Sequence, residues 1–92
     1  MTVITEENVP RLPRHVKFRF DQAREAWVVL APEKVFMPDE IAVEILKRCD
    51  GDTTLKAIID DLAKTFEAER DTVATDVVAM LQDLADKGII TT

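Results

Sequence analysis

The chain is poor in reactive and flexible residue types: one cysteine, one histidine, no tyrosine and two glycines among 92 residues. Each scarcity removes a class of function. The lone Cys49 cannot close an internal disulfide, so nothing calls for an oxidising compartment and a cytoplasmic location is expected. Neither Cys49 nor His15 has a companion at metal-ligand spacing, so no metal is expected. No Gly-rich phosphate loop, Ser-nucleophile motif or paired-Cys motif is present. Asp60 and Asp61 are sequence neighbours and diverge on a helix, which makes them a solvated face rather than an acid/base pair. No cofactor and no catalysis are expected. Residues 1–10, MTVITEENVP, hold neither a basic n-region nor an apolar h-region, and no window is long enough to span a membrane, so a soluble, unexported protein is expected.

What remains is one small globular unit. An apolar fraction of 47% argues against disorder. Residues 11–92 read as a single domain preceded by a flexible tail, residues 1–10. The net charge of −6 is unevenly distributed. Residues 11–34 carry six bases (Arg11, Arg14, Lys17, Arg19, Arg24, Lys34) against three acids, about +3, whereas residues 39–92 carry six bases against thirteen acids, about −7. A partner therefore meets a bipolar surface.

The hydrophobic period changes once along the chain. HVKFRFDQ alternates strictly, with Val16, Phe18 and Phe20 opposite Lys17 and Arg19, which predicts a half-buried strand. After a turn around Asp21 to Arg24, the β-prone run Trp27-Val28-Val29-Leu30 predicts a second strand closed by Pro32. Val35 to Met37 predicts a short third strand stopped by Pro38, which has no N–H to give a ladder. From Asp39 onward the pattern is helical. Asp39 is the expected N-cap of a first helix with Ile41, Ala42, Ile45, Leu46 and Cys49 on one apolar face and Gly51 at its end. Thr53 or Thr54 caps a second helix bearing Leu55, Ile58, Ile59, Leu62, Ala63 and Phe66. A third runs from about Arg70 to Lys87, with Gly88 as its stop. The expected fold is α+β and winged helix-turn-helix-like: a three-stranded antiparallel meander followed by three helices.

Two features suggest a binding surface. Val35-Phe36-Met37 is an uncharged apolar run in a chain where a third of the residues are charged. Either it belongs to the core or it is an edge left open to another chain. The third helix carries two adjacent apolar stripes, Val73-Val77-Met80-Leu84 and Ala74-Val78-Leu81-Ala85, an arc of roughly 160° where a single core contact requires roughly 100°. Either central burial or a second contact flank accounts for it. Val77 and Leu84 suit the core, and Met80 and Val73, at one margin, suit a groove. A DNA-binding winged helix is the rival from another class. Against it, residues 70–87 carry Asp71, Asp76, Asp83 and Asp86 with only Arg70 and Lys87, which repels phosphates. A structural homodimer pairing its own third strands is a further alternative.

The motifs RFD at Arg19 to Asp21, APE at Ala31 to Glu33, PDEIA at Pro38 to Ala42, IL at Ile45 and Leu46, and CDG at Cys49 to Gly51, with Arg14, Trp27, Asp76 and Val77, resemble the PqqD family of pyrroloquinoline quinone (PQQ) biosynthesis over about Pro13 to Ile90. The resemblance implies a peptide chaperone: a recognition element that binds the ribosomally made precursor peptide PqqA and delivers it to the radical S-adenosylmethionine enzyme PqqE. In related recognition elements the peptide adds a strand beside the third strand and packs on the third helix. Carried over, the peptide-binding residues are Lys34, Val35, Phe36, Met37, Val73, Val77, Met80 and Leu84. No nucleic acid or membrane partner is implied, and a monomer or weak homodimer is expected.

Overall fold

The computed structural model describes residues 3–32 and 34–92. Met1 and Thr2 of the N-terminal segment, and Glu33 of the Ala31 to Glu33 motif, lie outside the described residues. Three strands, β1 (Lys17–Asp21), β2 (Ala26–Ala31) and β3 (Lys34–Phe36), precede three helices, α1 (Glu40–Lys47), α2 (Leu55–Thr65) and α3 (Arg70–Asp86). The sheet order is β1-β2-β3 with both ladders antiparallel, pairing Phe18 with Val29, Phe20 with Trp27, and Val29 with Phe36. This is the α+β meander and helical set that the change of period predicts. Met37, expected inside the third strand, follows it.

The strand alternation has a visible consequence. Phe18 stacks on Trp27 at 4.7 Å between ring centroids, Phe20 meets the same indole edge-on at 5.8 Å, and Lys47 at the end of α1 lies 5.0 Å from its centre. Trp27 thereby ties the sheet to α1, a packing role that suits a large aromatic in a small core.

The helices begin where their caps dictate. The Asp39 carboxylate accepts from the Ala42 N–H at 2.8 Å, and the Thr54 hydroxyl, rather than that of Thr53, accepts from the Ala57 N–H at 3.2 Å. Helix α1 stops sooner than expected: it ends at Lys47 with Arg48 as C-cap, so Gly51 lies in the loop beyond. At φ +81° Gly51 is still in the left-handed region, and its N–H donates to Pro10 O at 3.2 Å. Gly88, at φ +78°, follows the α3 C-cap Lys87 as expected. The core gathers Val29, Ile45, Leu46, Leu55, Ile58, Ile59, Leu62, Val77, Leu81, Leu84, Ile89 and Ile90. No helix among the described residues is long and apolar enough to cross a membrane.

The N-terminal segment departs from the loose tail expected of it, because from Val3 onward it is laid against the helices. Ile4 is 5% exposed within the core, and its N–H donates to Gln82 Oε1 on α3 at 3.1 Å. The carbonyls of Asn8 and Glu6 accept from the Leu55 and Lys56 N–H groups at 2.8 and 2.9 Å. Those are the first amides of α2, which have no partner within the helix. Arg70 pairs with Glu6 at 2.6 Å and also with Asp60. Its hydrogen bond holds the Glu6 carboxyl below its usual range. Arg11 closes the segment through a pair of backbone bonds with Thr91, at 2.8 and 2.9 Å.

Two outcomes follow from this packing. Ile4→Ala empties a buried site and should cost about 2 kcal/mol or more, lowering the melting temperature by on the order of 10 °C in a domain of this size. An unchanged thermal unfolding curve would restore the loose tail. Cys49 is buried and donates its thiol to Ile45 O at 3.2 Å. Burial, reinforced by the charge of Asp50, pushes the thiol pKa up to about 12. The native protein should therefore give no reaction with a thiol reagent at pH 8, and one equivalent should react after unfolding. Rapid native labelling would place Cys49 outside the core.

Candidate functional site

The sheet has two edges of different character. The β1 edge carries the exposed charges of Lys17 and Arg19, the usual device for discouraging another strand. The β3 edge carries Val35, 56% exposed, and is followed by Met37, equally exposed. No strand among the described residues pairs with its outer side. Phe36 points the other way: it is half-buried, packs against the core, and has Lys87 Nζ 5.7 Å from its ring centre. The Val35 to Met37 run thus resolves into both alternatives the sequence left open, Phe36 inward and its two neighbours outward.

Beside this edge lies the open flank of α3. Val73 and Met80 are half-buried, and with Val77 they line an apolar groove of about 700 Å³. The groove is closed by Ile41 from the first turn of α1 and by Leu62 and Phe66 from the end of α2. Val77, 2% exposed, belongs to its floor, whereas Leu84, 1% exposed, lies in the core and does not line it. A second cleft, of about 480 Å³, joins Lys34, Val35 and Phe36 to Lys87 and Ile89 just past α3. Six of the eight residues singled out in the sequence border one cleft or the other. Met37 sits exposed between Phe36 and Ile41 in sequence, and Leu84 stands apart.

Ile41 and Phe66 change roles relative to expectation. Helical spacing places both on core-facing stripes, yet they are 57% and 51% exposed. On α1 the buried set is Ala42, Val43, Ile45 and Leu46. Residues 41, 42 and 43 span about 200° of helix, so they cannot all face one core, and the outermost is left looking outward. Phe66 is the C-cap of α2, followed by Glu67 in the left-handed region at φ +50°. The chain turns away there, leaving the ring at the groove mouth.

The charges around these clefts are also sorted. Among the described residues, Arg11, Arg14, Lys17, Arg19 and Lys34 make no ion pair, nor do Asp71 and Asp76 on α3. The cations of α3 are engaged: Arg70 with Glu6 and Asp60, and its C-cap Lys87 with Asp83 at 2.9 Å. A helix with free carboxylates and neutralised cations suits a peptide better than a phosphate backbone. The arrangement offers main-chain hydrogen bonds along one edge and an apolar receptacle on the flank of α3.

Known proteins resemble this chain in both sequence and fold. The family model described as Coenzyme PQQ synthesis protein D (PqqD) matches residues 26–90. The PqqA binding protein of Rhodopseudomonas palustris (strain BisB5) is 59% identical over 88 residues, covering 96% of this chain and 86% of that protein. Among solved structures, the solution structure of the PqqD part of Methylobacterium extorquens PqqCD, a recognition element for ribosomally synthesized, post-translationally modified peptides, superposes with a TM-score of 0.81 at 39% identity, covering 97% of this chain and 95% of that one. The crystal structure of PqqD from Xanthomonas campestris gives a TM-score of 0.57 at 37% identity, covering 91% and 93%. Shared sequence over the sheet and all three helices, carried on the same fold, means that this chain belongs to the PqqD family.

Proposed function

We propose that this chain is a peptide chaperone of PQQ biosynthesis rather than an enzyme: it binds a precursor peptide of the PqqA type by strand addition at the outer edge of β3 and presents it to the radical S-adenosylmethionine enzyme PqqE. The observation that carries this reading is the open, uncharged edge Val35 to Met37 lying next to an apolar groove on α3. Relatives named PqqA binding protein supply the kind of peptide. Strand addition draws affinity from main-chain hydrogen bonds and specificity from pockets for alternate side chains, and the two clefts supply such pockets. A micromolar complex requires roughly 8 kcal/mol net, within reach of a few ladder bonds and several newly buried apolar side chains.

The test is an amide-resolved NMR titration of the labelled chain with the precursor peptide. Saturable shifts should cluster on Lys34 to Met37 and on the Val73, Val77 and Met80 flank of α3. Shifts confined to β1, or none at millimolar peptide, would remove the proposal. Two substitutions, of exposed Val35 and half-buried Met80, then separate edge from groove. Val35→Asp and Met80→Glu should each weaken binding by about tenfold or more, by placing a charge where apolar surface is buried, while circular dichroism stays native. Full affinity in both would relocate the site.

A further inference from the structure

Two clefts lie along α3 and differ in charge: Lys34 and Lys87 border one, Asp76 and Asp83 the other. The chain path sets their order along the helix. Phe36 of β3 lies under Lys87 at the C-terminal end of α3, and Ile41, five positions later, faces Val73 and Met80 midway along the same helix. Residues 34–41 therefore run alongside α3 in the opposite direction. At the first end stand Lys34 and Lys87. At the other stand Asp76, which lines the groove, and Glu40, next to Ile41 in the chain. Asp83 is shared with Lys87, whereas neither Asp76 nor Lys34 has an ion-pair partner among the described residues.

Resting on the strand-addition reading, we infer that the two clefts together recognise the order of charges along the bound segment. The part of the segment over Ile41, Phe66 and Met80 is apolar with a flanking cation that Asp76 attracts; the part over Lys34, whose charge has no partner among the described residues, carries a carboxylate. Both existing ladders are antiparallel. A strand that continues the pattern enters at the Ile41 end and leaves at the Lys34 end, so its cation precedes its anion. The helical rise separates Asp76 from Lys87 by about 16 Å, a span covered by about five residues of extended chain. The segment that fits is a short strand with a basic side chain, an apolar middle and an acidic side chain in that order. A segment with the reverse order meets like charges at both ends, which costs affinity and slows encounter.

Two synthetic peptides test this, identical in composition and in a central Val/Leu run, one with Lys before the run and Glu after it, the other transposed. Against the native chain, followed by Trp27 fluorescence and NMR, the cation-first peptide should bind about fivefold tighter at low ionic strength, and salt should erase the difference. The double variant Lys34→Glu/Asp76→Lys, which alters two exposed side chains, should reverse the preference. Equal affinity for the two peptides, an order preference unchanged in the variant, or failure of both to bind where the precursor binds would overturn the inference while leaving strand addition standing. A precursor peptide that leaves β3 unshifted removes strand addition itself, and with it this inference.

Discussion

The surface this molecule offers depends on how α3 is shared among three neighbours. Its Val77, Leu81 and Leu84 row is buried in the core. The flank bearing Gln82 and the first residue, Arg70, are held by the N-terminal segment. The flank bearing Val73 and Met80 is left to the groove. A helix with a single narrow apolar stripe would have to give that stripe either to the core or to a ligand. The broad arc lets one helix be anchored and still line an open apolar groove, whose wall is thereby held in place.

The sheet divides its labour in a comparable way. β2 is central and covered on both sides by strands, and its Val28 and Val29 are fully buried. The two edges then differ in chemistry: β1 carries exposed Lys17 and Arg19, whereas on β3 a single cation, Lys34, precedes an exposed apolar Val35. Because Phe36 alone reaches inward from β3, that strand is fixed to the core by one ring while its outer side stays available.

Much of this was legible in the chain. The switch from period two to period 3.6 at Pro38, the caps Asp39 and Thr54, and the stop at Gly88 mark elements through side-chain chemistry that a sequence displays. The exposed pair Val35 and Met37 and the margin residues Val73 and Met80 could be singled out for the same reason. The groove's other wall could not. Ile41 and Phe66 have the composition of core residues, and only the angular limit of α1 and the turn at Glu67 push them outward. The N-terminal segment was hidden for a different reason. It docks largely through the backbone carbonyls of Glu6, Asn8 and Pro10, and a carbonyl is the same in every residue. Likewise the charge split was countable, but which cations are neutralised depends on three-dimensional pairing.

On the proposed reading, the magnitudes also explain why edge and groove must act together. Val35, Met37, Ile41 and Phe66 are each about half exposed. Covering the exposed half of such a side chain contributes about 1 kcal/mol, so the four together give about 4 kcal/mol, a millimolar affinity before any ordering cost. The three residues of β3 can add only a few ladder bonds, each worth about 1 kcal/mol net. Neither contribution alone holds a flexible peptide against the entropy lost on ordering it. Together with the peptide's own apolar side chains buried in the clefts, they reach a modest affinity, and modest affinity is what a carrier requires. A chaperone that has to surrender its peptide to an enzyme gains nothing from a groove deep enough to keep it.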